Sequence, residues 1–159
     1  MKRIVAALVC VLGMSTALYA DSGDLALGLQ MVNGSSLNQM GLGVKVQCSL
    51  YDQLRLEPSF TYYFEKNSVS TWDIAINLHY VVSVTSNFEA YPLIGLGYSR
   101  WTTDFGGGVS SDDDRIFADL GAGFDFAASK NLWFTTELRY ELMADYGQFV
   151  PAVGVKVCF

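Results

Sequence analysis

Beyond its first twenty residues the chain has no long apolar run, a single histidine and only two cysteines. Without about twenty consecutive apolar residues, no helix of this chain can cross a bilayer. One histidine, His79, excludes a His-rich metal site. The two cysteines, Cys48 and Cys158, fall on opposite faces of strands read from hydrophobic alternation, which disfavours a bridge. Both read as small hydrophobes. Basic residues are scarce, ten against sixteen acidic. That balance argues against nucleic acid or an anionic membrane surface as a partner.

What is present is hydrophobicity in small doses. The chain is 51% hydrophobic and 14% aromatic, yet those residues are interleaved with polar ones. Interleaving of this kind suits a transmembrane β-barrel, whose lipid-facing and lumen-facing residues alternate. The exception is the start. Met1-Lys2-Arg3 is basic, Ile4 to Met14 is apolar, and Ser15 to Ala20 is rich in small residues. This is the layout of a secretory signal peptide over residues 1–20. Cleavage is expected after Ala20, with Ala17 as the alternative. Val9 before Cys10 is not small, so a lipoprotein is not indicated. Residues 21–159 then form one domain, stripped of two of the ten basic residues and of no acid.

The last stretch, Phe149 to Phe159, carries the pattern most openly. Phe149, Pro151, Val153, Val155, Val157 and Phe159 alternate with smaller or more polar residues. A period of two means a strand with two different faces. Seven more such stretches precede it. Their apolar sets are Leu25 to Met31, Leu42 to Leu50, Leu54 to Phe64, Trp72 to Val82, Ala90 to Tyr98, Ile116 to Phe126 and Leu132 to Leu142, each taken at every second residue. Eight strands predict an all-β, antiparallel up-and-down barrel, closed because an open edge in lipid would leave backbone groups unpaired. Pro58 lies inside the third strand, where a local distortion without change of register is expected. The longer connections, including Lys66–Ser70, Ala144–Gln148 and the longest irregular segment Thr102–Asp114, are assigned outside the cell, and the short turns to the periplasm. Outward aromatics then fall into two belts. Tyr62, Phe64, Trp72, Tyr98, Tyr140 and Phe149 lie near the outer rim, and Tyr80, Phe124, Phe126, Phe134 and Phe159 near the inner one.

With strands and belts in place, residues 21–159 resemble small eight-stranded outer-membrane barrels of the OmpA/OmpX type, the outer membrane protein β-barrel domain or porin family of Gram-negative bacteria. Tyr91–Tyr98, Thr136–Tyr140 and Phe149–Phe159 carry the likeness. The resemblance implies outer-membrane lipid and lipopolysaccharide as surroundings. It also implies a terminal Phe159 read by the barrel-assembly machinery. It does not extend to a peptidoglycan-binding domain after Phe159.

Lumen-facing charges form a first candidate constellation: Lys45, Arg55, Arg139 and Lys156 with Glu57, Asp125 and Glu137. Buried charges need partners. Hairpin geometry predicts Glu137 near Lys156, and Arg139 near Asp119 and Glu141. A second constellation is an extracellular acidic rim of Glu65, Asp73, Asp104, Asp112, Asp113, Asp114, Asp119 and Glu141. Carboxylates there could take Ca²⁺ or Mg²⁺, but a solvated acidic loop is the simpler reading. The aspartate run does not match an EF-hand, and no cofactor or metal is called for. His79 reads as a satisfied lumen histidine, and lumen glycines 95, 97, 121 and 123 as space for Trp133 and Tyr63. These readings point to a non-enzymatic protein with a filled lumen, acting structurally or through its outer loops, above all a surface ligand at Thr102–Asp114. A narrow cation-preferring channel is the alternative, and a lipid A-modifying enzyme the third.

Overall fold

The structure, a computed structural model, describes residues 25–159 except 37, 106 and 108. The leader and its cleavage site lie outside the described residues. Alternation of apolar and polar residues makes every element a strand. β1 (Leu25–Gly34), β2 (Gln39–Tyr51), β3 (Leu54–Lys66) and β4 (Val69–Tyr80) form successive antiparallel hairpins. A short β5 (Val82–Thr85) continues the line of β4 after Val81, whose N–H donates instead to the Gln53 carbonyl at 2.7 Å. β6 (Phe88–Asp104), β7 (Ser110–Ala127), β8 (Leu132–Met143) and β9 (Gly147–Cys158) complete the sheet. β1 pairs with β9, and β4 with β6, so eight walls close into a barrel.

Side chains sort by parity. Leu29, Ile94, Leu96, Leu120, Leu138 and Val153 are more than half exposed, whereas Lys45, Glu57, Asp125, Glu137 and Arg139 are buried. The apolar exterior and charged interior invert a soluble core, and they suit a lipid solvent. Aromatics meet near both ends of this exterior. Trp72 lies 5.7 Å from Tyr98 and Tyr140 4.8 Å from Phe149 at one end, with Phe88 4.7 Å from Phe126 at the other.

Three expectations about connections need correction. Lys66–Ser70 is not a loop: Lys66 pairs with Val69, and the turn is Asn67-Ser68, both at positive φ (54° and 62°). Two successive left-handed residues make the tight turn that matches strand twist. Thr102–Asp114 is likewise mostly ladder, since β6 and β7 pair rung by rung out to Asp104 and Ser110. Its aspartates read as loop residues, but cross-strand bonds such as Thr102 Oγ1 to Asp112 Oδ1 (2.8 Å) hold them in strand. Gly147 and Gln148 also belong to a strand, β9. At Pro58 the β2–β3 ladder skips two rungs and resumes unshifted, from Lys45 opposite Ser59 to Cys48 opposite Leu56. Both cysteines are free.

Candidate functional site: the charged lumen and the projecting hairpin

Inward parity brings polar side chains from most of the walls to the barrel axis, where they must satisfy one another. In the half nearer the described chain ends they form a closed ring. Lys45 Nζ donates to Glu137 Oε1 and stands 3.2 Å from Glu57 Oε2. Gln47 Nε2 donates to Glu57 Oε2 at 2.6 Å, and Lys156 Nζ donates to Gln47 Oε1 at 2.9 Å and to Asp125. Tyr91 closes the circuit, its hydroxyl 2.9 Å from Glu137 Oε1 and 3.2 Å from Asp125 Oδ1. Arg55 anchors the mouth by donating to Asp125 at 2.9 Å and Glu89 at 2.7 Å. The ring thereby ties β2, β3, β6, β7, β8 and β9 together.

Below the ring opens a cavity of about 290 Å³, with Arg55, Glu89, Lys130, Trp133 and Lys156 among its lining residues. Lys156 stands 5.5 Å over the Trp133 ring.

The opposite half is looser. Arg139 Nη1 lies 3.7 Å from Asp119, beyond hydrogen-bond range. Both Asp119 oxygens, Asp73 Oδ1, both polar atoms of the Gln30 amide, and Arg139 Nε have no hydrogen-bond partner among the described residues. Glu141 is better placed, accepting from Gln148 Nε2 at 2.7 Å.

Several predicted placements change. Glu137 meets Lys45 across the barrel, while Lys156 meets Asp125. The hairpin register sets Lys156 opposite Trp133 and Glu137 opposite Ala152, four residues apart along β9. Asp73, Asp119 and Glu141 are not on a rim, being at most 5% exposed inside the barrel. Glu65, Asp104 and Asp112–Asp114 are exposed. His79 is buried, with neither ring nitrogen bonded, and its ring stacks on Tyr91 at 4.5 Å. The space at Gly97 and Gly123 is taken by Phe117 and Tyr91, whose rings a Cβ would meet at 2.1 and 2.5 Å. Sequence reasoning misses Tyr91, Gln47 and Glu89 as site residues, although their inward parity is the available signal.

At the far end, β6 and β7 run six rungs past Tyr98, from Ser99 opposite Arg115 to Asp104 opposite Ser110, or roughly 20 Å. β4 accompanies β6 as far as Val69 opposite Thr103, whereas β7 runs on alone past the end of its β8 ladder at Phe117 opposite Met143. Arg100 grips Asp114 with two bonds of 2.6 and 2.9 Å. Arg115 pairs with Asp113 and lies 5.0 Å over both the Trp101 and Tyr146 rings, which fastens the hairpin to the β8–β9 turn. Arg100 holds the Asp114 carboxyl below the usual aspartate range by these hydrogen bonds.

Residues 4–157 match the family model described as "Outer membrane protein beta-barrel domain". No curated protein matches the sequence. Among solved structures, the N-terminal barrel of Pseudomonas aeruginosa OprF is similar at 16% identity and a TM-score of 0.75, over 87% of this chain and 100% of that one. Neisserial surface protein A follows at 18% and 0.73, over 88% and 100%. Ail, the attachment invasion locus protein of Yersinia pestis, gives 18% and 0.61, over 85% and 96%. The outer membrane enzyme PagL shares the architecture at 11% and 0.56, over 84% and 99%. At such identities the likeness establishes the fold alone.

Proposed function

Because the chain belongs to the outer membrane protein β-barrel domain family, we propose that it is a non-enzymatic outer-membrane protein that works through its projecting β6–β7 hairpin. The barrel serves as a plugged pedestal for that hairpin. The observation that carries this reading is the six-rung extension beyond the outer aromatic belt, flanked by β4 on its β6 side and overhanging β8 on its β7 side, and rigidified by Arg100–Asp114 and by the Arg115 stack. In this reading residues 1–20 direct export, the tight turns at 52–53 and 86–87 face the periplasm, and the hairpin faces outside. The surroundings are outer-membrane lipid and lipopolysaccharide, and Phe159 serves the assembly machinery.

Charge narrows the hairpin's partner. From Ser99 to Arg115 the hairpin carries two arginines and four aspartates, a net negative balance. A basic ligand fits, and a polyanion does not. Replacing residues 101–113 by a two-residue turn should abolish binding in a screen of basic peptides and proteins on intact cells, while the barrel still folds. Equal binding by the truncated protein would reject the reading.

The cation-preferring channel is the second reading, favoured by an interior in which six buried carboxylates meet three buried cations. The sealed ring weighs against it. Planar-bilayer recordings that stay silent support the plug, and cation-selective openings support the channel. The lipid A-modifying enzyme, with PagL as its structural relative, finds less support, because His79 is 0% exposed inside the barrel and so cannot face a lipid. Unchanged lipid A in a deletion strain would agree.

A further inference from the structure

The structure assigns a divalent transition-metal site of the zinc class to Glu57, His79 and Glu137 in the barrel lumen. One ligand atom from each of the three lies within 4.8 Å of those of the other two, and all three residues are buried. They come from three different walls, β3, β4 and β8, so the cluster depends on closure of the barrel.

Orphaned atoms identify it. Each carboxylate has one oxygen occupied and one idle. Glu57 Oε2 accepts from Gln47, and Glu137 Oε1 accepts from Lys45 and Tyr91. Glu57 Oε1, Glu137 Oε2 and both nitrogens of His79 have no hydrogen-bond partner among the described residues. His79 Nε2 stands 3.8 Å from Glu57 Oε1. Buried polar atoms without a partner are costly, and so many at one spot ask for an occupant. The occupied oxygens fix the carboxylates from behind, as outer-shell bonds do around metal ligands. Tyr91 contributes doubly, bonding Glu137 and stacking on the His79 ring.

Ligand chemistry selects the ion. Around the site Glu57, Glu137 and Asp125 are already matched by Lys45, Arg55 and Lys156, so donor type rather than surplus charge decides. One imidazole with two carboxylates suits Zn²⁺ or its first-row neighbours, whereas Ca²⁺ and Mg²⁺ prefer all-oxygen sites. Ligands of a tetrahedral zinc with bonds of about 2.0–2.2 Å stand roughly 3.4 Å apart. The observed spacing therefore closes on an ion by small rotations of the two glutamates, and water completes the set. This site does not rest on the hairpin reading.

The test is to refold the full chain in detergent with one equivalent of Zn²⁺, gel-filter it and measure bound metal. About one ion per chain is expected. His79→Gln should lower retention at least tenfold, and Tyr91→Phe should weaken affinity by about 10- to 100-fold. The hairpin-truncated chain should keep its ion, which separates the lumen from the exposed aspartates. Co²⁺ in the unsubstituted protein should give visible d–d bands that need no variant to fold. No retained zinc, no cobalt bands, full retention by a folded His79→Gln, or loss on hairpin truncation would each overturn the assignment.

Discussion

The two halves of the lumen share a composition but not the closeness of their ion pairs. In the half nearer the chain ends, Lys45, Glu57, Glu137, Tyr91, Asp125, Lys156 and Gln47 close a ring of short bonds. In the far half Arg139 faces Asp119 at 3.7 Å, and Asp73 and Gln30 hold idle atoms. A buried charge contributes rigidity only where its partners are at bonding distance; elsewhere it is a cost the barrel tolerates. Stability should therefore concentrate in the ring, and the hairpin rises from the looser half.

Mutations can break that contrast. The largest effect is expected from Glu137→Leu, which removes two bonds and leaves the buried Lys45 ammonium with Glu57 as its one remaining carboxylate at bonding distance among the described residues. A loss of about 3–5 kcal/mol in urea unfolding is expected. Leu138→Arg, the next residue and on the lipid face, should cost about 2–4 kcal/mol near mid-membrane and much less in a soluble setting. Asp119→Asn probes the loose half. Its oxygens make no hydrogen bond among the described residues and its ion pair with Arg139 is a loose 3.7 Å, so the change should cost about 1–2 kcal/mol, less than Glu137→Leu. A penalty equal to that of Glu137→Leu would erase the distinction between the halves.

The smallest effect lies outside the membrane. The Asp114 carboxyl is lowered by Arg100, so its contribution is complete above the ordinary aspartate pKa and fades as pH falls through the lowered value. Below about pH 4 the amides of residues 100–114 should exchange faster while those of the ring do not. Because the pair is partly exposed and screened by solvent, the change should be slight.

Most of the barrel wall is legible in the sequence through parity. Period two alone separates Leu138 from Arg139 and Ile76 from Asn77, because lipid tolerates no ambiguity on the outer face. What sequence does not encode locally is the partner across a barrel. Glu137 and Lys45 are 92 residues apart, and hairpin adjacency suggests Lys156 instead. Strand length is equally hidden. Aspartate, serine and glycine between 102 and 114 carry loop composition, yet Arg100–Asp114 and Thr102–Asp112 compensate with side-chain bonds. Mistaking that length also raises Asp73, Asp119 and Glu141 to a rim they do not reach. The need of His79 for a partner is invisible for the same reason, since its neighbours come from β3, β6 and β8.

The inverted barrel can be tested most directly by methyl NMR of the unsubstituted protein in bilayer nanodiscs carrying a lipid-soluble spin label. Methyls of Leu29, Leu138 and Val153 should broaden, whereas those of Val32, Leu93 and Val150, all at most 2% exposed, should stay sharp. Equal broadening of both sets, or sharp signals from Leu138 beside broadened Val150, would contradict a greasy exterior wrapped around a closed and charged axis.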